Sequence, residues 1–220
     1  QAGYLYLSLL YDDCVERGKP IFDGGVRYLG GTLETYGNTN TADALTAIRE
    51  LVYEKKAIGK QKLLSMLLYD FAGCEREKKL LKDAPKYGND IDAADKMLSA
   101  VHEHVCRHTL GQAQKNGLHS YLAVVINNSA NTAMGEFTLA SADGRGAGCP
   151  MANGNNPSPG SDKNGVTAFL NSLTKPRTDI HAGAVQNMKF SSEWFQKFPQ
   201  KTQALLKGYF SAGGAQAMLT

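Results

Sequence analysis

The run Tyr121-Leu122-Ala123-Val124-Val125-Ile126 limits the fold more than any other segment. It is too short for an ordinary helix, does not alternate with polar residues, and ends in three β-branched side chains. Such a run predicts a strand buried on both faces of a parallel sheet. Parallel strands cannot be joined by a tight turn, so the segments around it must supply long crossovers.

Those segments read as helices. Asn40 or Thr41 caps a helix that has Asp43 in its first turn and Ala44, Leu45, Ile48, Leu51 and Val52 at helical spacing. After Gly59, the residues Leu63, Leu64, Met66, Leu67, Leu68 and Phe71 predict a second helix, stopped by Gly73. A short charged helix from residue 75 ends in the turn segment Ala84–Asp90. Residues 91–116 then carry Ala94, Met97, Leu98, Val101 and Val105 on one helical face. Toward the start, residues 4–17 predict one helix closed by Gly18, and Gly31–Tyr36 a short buried strand. Toward the end, the expected elements are a helix at Val166–Leu173, a strand within 184–190, and helices near 191–198 and 200–212. The class is α/β, helix-rich, with few and isolated strands.

With 42% apolar and 20% charged residues, 220 residues can bury a substantial core, and the composition excludes a disordered chain. No stretch approaches the roughly 18 apolar residues of a membrane span. The net charge of +3 is spread along the chain rather than gathered into the dense stripe of a nucleic-acid footprint, so neither a nucleic acid nor a membrane is expected as a partner. Cysteines 14, 74, 106 and 149 form no CxxC pair and no disulfide framework, so a reducing cytoplasm is the expected location. The chain begins Gln1-Ala2-Gly3-Tyr4 and ends Ala217-Met218-Leu219-Thr220, and both ends read as the interior of something longer.

Few residues offer chemistry. His104 and His108 share a helix face, but no third metal ligand is evident, and pairing with helix neighbours is the simpler reading. Gly144-Arg145-Gly146-Ala147-Gly148 resembles a phosphate-cradling loop, yet no helix opens directly after it. It starts a segment, residues 144–165, too long and too rich in Gly, Asn, Pro and Ser to be an idle connection. Ser129, Ser141 and Ser158 lack the GxSxG context of a hydrolase. Glu34 stands out, because a carboxylate in the low-charge strand Gly30–Gly37 must be paired, hydrogen-bonded or raised in pKa. An ion pair with Arg27 is the structural alternative to a role in acid/base chemistry or substrate anchoring.

Four segments in order resemble the glycyl radical enzymes, the pyruvate formate-lyase-like family. Cys14-Val15-Glu16-Arg17-Gly18-Lys19 followed by Gly24-Gly25-Val26-Arg27-Tyr28 is similar to its "ERGK…GGxRY" segment. Thr41-Ala42-Asp43-Ala44-Leu45-Thr46-Ala47-Ile48 is similar to "VADSLAAI", and Ala84-Pro85-Lys86-Tyr87-Gly88-Asn89-Asp90 to "APKYGND". Asn153-Gly154 with Ser158-Pro159-Gly160-Ser161-Asp162-Lys163-Asn164-Gly165-Val166-Thr167-Ala168 is similar to "ADGxSPxxGxDKNGPTA". The resemblance implies part of a ten-stranded α/β barrel in which a glycyl radical, made by a radical-SAM activating enzyme, oxidises a cysteine. The resulting thiyl takes a hydrogen atom from a small, buried, hydroxylated or carboxylated substrate. It also implies homodimers.

Two expected segments are missing. The radical glycine of the family lies in "RVxGY", which does not occur here, and the catalytic cysteine lies in "GCxE", whereas Cys14 follows Asp13. Residues 1–220 are therefore expected to be a C-terminal portion of the barrel domain without the glycine-radical loop. No cofactor is expected to be bound, and the protein radical is expected outside this segment. Within it the resemblance implies Glu34 as the catalytic residue and Thr35 and Asn38 as substrate-binding residues. The run Leu29–Glu34 replaces the "NFTGxQ"-like run of many diol dehydratases. A non-catalytic fragment or degenerate paralogue acting as a structural subunit is the alternative.

Overall fold

The computed structural model describes residues 4–126 and 129–220. Residues 1–3, which open the expected interior-like start, lie outside the described residues. In chain order the elements are α1 (Leu5–Ser8), α2 (Cys14–Arg17), β1 (Gly30–Glu34), α3 (Asn38–Ile48), α4 (Lys60–Leu68), α5 (Glu75–Asp83) and α6 (Asp92–Gln112). They continue as β2 (Ser120–Val125), α7 (Ala130–Glu136), α8 (Gly165–Leu173), β3 (Gly183–Ala184), β4 (Asn187–Met188), α9 (Ser192–Lys197), α10 (Pro199–Ser211) and β5 (Met218–Leu219).

β1, β2 and β3 form one parallel sheet in that order, with Glu34 opposite Val124 and Gly183 opposite Val124 on the other side. The apolar run of the sequence is its central strand. Only one of its faces is fully covered. Ala123 and Val125 are buried, and Ala123 packs with Cys106 of α6 and Ile180, while Leu122 and Val124 on the other face are half-buried. β1 is an edge strand, so the buried strand expected at Gly31–Tyr36 is exposed at four of its five positions, Glu34 included.

Three further expectations change. The single helix over residues 4–17 is two short helical turns, because Asp13 adopts a positive φ of 70° and turns its carboxylate toward Arg27. The helix expected from residue 41 starts at Asn38, behind Gly37 at φ 76°, so Asp43 sits beyond the first turn. The terminal apolar run forms β5, which pairs in parallel with β4, the strand anticipated within 184–190.

Two apolar clusters hold the helices. Ala47, Leu51, Ile58, Leu63, Met66, Phe71 and Leu81 join α3, α4 and α5. Ala42, Tyr87, Leu98, Phe169, Leu173, Met188 and Tyr209 join α3, α6, α8, α10 and β4. Residues 137–164 contain no helix or strand, yet they are pinned by side-chain hydrogen bonds at many points. At one point the fit depends on a missing Cβ. Gly88 has φ +91°, and a Cβ there would lie 2.1 Å from Pro157 Cγ. Gly73 has a similar φ of +67° but open space around it.

These two glycines separate backbone strain from steric fit. Gly73→Ala should cost about 1 kcal/mol, the usual left-handed penalty, and Gly88→Ala more than about 3 kcal/mol, because strain and overlap add. Urea unfolding of both variants checks this; equal losses would mean that the Gly88–Pro157 contact does not constrain the fold.

Candidate active site and the motif junction beside it

β1 ends at the residues that the sequence singles out. Glu34 is exposed, and it forms no hydrogen bond or ion pair among the described residues. The expected alternative partner, Arg27, bonds Asp13 at 2.8 Å instead. Thr35 and Asn38 are brought together, since Asn38 Nδ2 donates to Thr35 Oγ1 at 3.1 Å. Thr35 extends the ladder past the strand, donating its N–H to Val124 O at 2.9 Å and its hydroxyl to the same oxygen at 3.3 Å.

Alternation along the strand fixes the side on which Glu34 lies. Residues paired in register share a face, so Glu34 and Thr32 stand with Val124 and Leu122, opposite the face on which Ala123 and Val125 are buried. Helix α6 covers that buried face. Glu34 therefore projects from the less buried side of a parallel sheet, opposite the face that α6 covers, at the carboxyl end of its strand, where open α/β sheets and barrels present their reactive groups.

Behind β1 the motif segments meet. Asn40 Nδ2 donates to Asp143 Oδ2 at 2.7 Å and to Ser158 Oγ at 3.1 Å, while its Oδ1 accepts the Ala152 N–H at 2.8 Å. Thr39 Oγ1 donates to Asn156 O at 2.9 Å. The Asn89 side chain donates to Ser161 O at 2.8 Å and to Lys86 O at 3.1 Å, and its oxygen accepts the N–H groups of Lys163 and Asn164 at 2.7 and 3.1 Å. Asn164 Nδ2 returns a bond to Asn89 O at 2.9 Å. The glycine- and asparagine-rich loop is thus packed architecture.

Sequence reasoning missed the titratable core of this junction. Asp43 is completely buried; its Oδ1 accepts the Tyr87 N–H at 2.8 Å, and its Oδ2 has no hydrogen-bond partner among the described residues. Burial pushes its carboxyl up to about 7, an effect that Asp143 and Asp95 reinforce and that the Tyr87 N–H and Lys86 oppose. Lys86, also buried, donates to Leu81 O at 2.7 Å and Ala84 O at 2.9 Å, and burial lowers its pKa. The only hint in the sequence was that Asp43 and Lys86 both fall inside motif segments.

A second buried group lies behind β2. His102 Nε2 bonds Arg177 O at 2.9 Å, Cys106 Sγ lies 3.6 Å from the same nitrogen, and the His102 and His181 rings meet edge to face. Burial lowers both histidines and raises Cys106 to about 11. His104 and His108 are exposed, with rings 6.4 Å apart, and no group of three metal-ligating residues occurs among the described residues. Cys14 is buried beside Gly25. No helix among the described residues is long and apolar enough to cross a membrane.

A three-stranded parallel sheet with α6 packed on one face is consistent with part of an α/β barrel. Residues 3–135 match the family model described as pyruvate formate lyase-like, and residues 151–220 the one described as glycine radical. The chain belongs to the pyruvate formate lyase-like family of glycyl radical enzymes. The match to the second model divides the chain near residues 135–151, a boundary that the motif order alone did not draw.

It is 35% identical over 218 residues to a probable dehydratase, YbiW, of Escherichia coli, covering 92% of this chain and 26% of that protein. It is 31% identical to trans-4-hydroxy-L-proline dehydratase of Clostridioides difficile, covering 94% and 27%. Its structure resembles the glycerol-bound B12-independent glycerol dehydratase of Clostridium butyricum with a TM-score of 0.92 at 31% identity, covering 97% of this chain and 28% of that one. The chain spans about a quarter of the length of these relatives.

The raised Asp43 carboxyl has a thermodynamic consequence. Between the ordinary value of 3.8 and about 7 the folded chain holds a proton that the unfolded chain has released. Its contribution to stability is therefore present below about pH 4 and is lost as the pH rises to 7. Relative to Asp43→Asn, the native protein should lose on the order of 4 kcal/mol across that window. Parallel urea titrations at pH 4 and pH 7.5 measure the difference; a pH-independent difference would show that Asp43 keeps an ordinary carboxyl.

Proposed function

We propose that this chain is the C-terminal portion of the barrel of a glycyl radical lyase that cleaves a C–C, C–O or C–N bond in a small hydroxylated or carboxylated molecule. Decarboxylases and dehydratases are the reaction types in view. The observation that carries this reading is the position of Glu34 at the carboxyl end of β1, on the face opposite α6, in a chain of this family. The family's protein radical supplies hydrogen-atom abstraction; because neither "RVxGY" nor "GCxE" occurs here, this reading assigns the radical glycine and the reacting cysteine to segments beyond these 220 residues, although residues 151–220 match the glycine radical model.

The work assigned to this chain is binding and proton handling. Glu34 accepts a substrate hydroxyl or carries a proton at the reacting centre. Thr35 and Asn38, already hydrogen-bonded to each other, orient the substrate from the strand end. In the whole protein the open face of β1 and β2 is closed by the remaining strands, which excludes water and makes each polar contact stronger. A radical-SAM activating enzyme as partner, a homodimeric assembly and a cytoplasmic location belong to the same reading.

Glu34→Gln in the full-length protein should cut kcat by about 100-fold or more, the range for loss of a positioned acid/base group, with an unchanged glycyl radical signal by electron paramagnetic resonance. Asn38→Ala should act mainly on KM. Full turnover by Glu34→Gln would remove Glu34 from the reaction.

A further inference from the structure

The glycine-rich run that the radical chemistry leaves unused, Gly144–Gly148, lines a cleft of about 690 Å³. Its opposite walls are the end of α5, the turn 84–91 and the loop 158–164. Five cations line it: Lys78, Lys82, Lys86, Arg145 and Lys163. Its two acids are Asp83 and Asp143, and Asp143 is already occupied by Asn40, Ser141 and the Arg145 N–H. We propose that this cleft binds a small molecule bearing more than one phosphate group.

Several features of the cleft favour phosphate. Lys86 stands at its floor, 8% exposed, and its two carbonyl bonds use two of its three N–H donors. Lys78, Lys82 and Lys163 form no ion pair among the described residues, although Lys78 Nζ lies over the Phe71 ring, so cations outnumber the two acids of the lining. The stem of Lys82 runs along Gly144, whose φ of +90° shapes the wall and where a Cβ would come within 2.5 Å of that stem.

Arg145 adds charge to the cleft but offers no open fork to an anion. Its guanidinium is occupied by Ser141 Oγ and the carbonyls of Leu139, Gly146 and Cys149, so direct contacts to a ligand fall to the lysines. The lysine ammonium groups line a pocket of ligand size, where several of them can meet the many oxygens of linked phosphates.

Cys149 provides the readout. It lines the same cleft and is exposed, whereas Cys14, Cys74 and Cys106 are buried. Inorganic tripolyphosphate should slow the alkylation of Cys149 by iodoacetamide in the intact protein, saturably and at least threefold, and citrate at equal charge should not. Lys82→Glu/Lys163→Glu should weaken the effect about tenfold. Lys163→Glu alone, at an exposed position, should weaken it about threefold without disturbing the fold. No protection, protection unchanged in both variants, or equal protection by citrate would overturn the proposal. The assay needs neither the radical nor turnover, so its result is independent of the role of Glu34.

Discussion

The Asn89 carboxamide is a central point at which the two halves of the chain are tied, alongside Asn40 and Thr39. It makes four hydrogen bonds, one to its own turn and three to residues 161–164, and it is 6% exposed. No other side chain type offers two donors and two acceptor positions in so little volume. Because loop 137–164 has no ladder of its own, some of its backbone groups find partners in the side chains of Asn89 and Asn40, while Asn156 of the loop bonds both the N–H and the carbonyl of Asn187. Remove that satisfaction and buried amides are left unpaired, at about 1–3 kcal/mol each.

The junction explains why β1 can carry chemistry. β1 contributes little burial of its own. Its position is set by pairing with β2 and by α3, which starts four residues after Glu34 and is anchored through Thr39 and Asn40 to the packed loop. The carboxylate is held by a strand whose next element is fixed at both polar and apolar contacts. A site built on regular elements supported by a second layer of hydrogen bonds keeps its geometry better than one on a free loop.

Much of this was legible in the sequence, for physical reasons that differ by element. β2 could be read because a strand in a parallel sheet needs no polar alternation, and Tyr121–Ile126 shows none. The long helix could be read from a single apolar face that holds over several turns. The exposure of Glu34 could not be read, because a strand's burial is decided by what packs beside it, and here β1 is an edge. Asp43 looked like a first-turn helix charge; its burial depends on Tyr87, 44 positions away, folding over it. The motif segments were visible as separate pieces of sequence, but only the structure brings Asn40, Tyr87, Asn89 and Ser158 into one junction. The break at Asp13 was hidden for a similar reason, since the cation that holds its carboxylate is Arg27.

Hydrogen exchange read by mass spectrometry on Asn89→Ala tests the central claim most directly. If the Asn89 carboxamide ties the motif segments into one unit, protection should fall together, by about tenfold or more, in residues 38–46, 84–90 and 152–164, while β1 paired with β2 keeps its native rates. A loss confined to residues 161–164 would contradict the account, because the segments would then be held independently of one another.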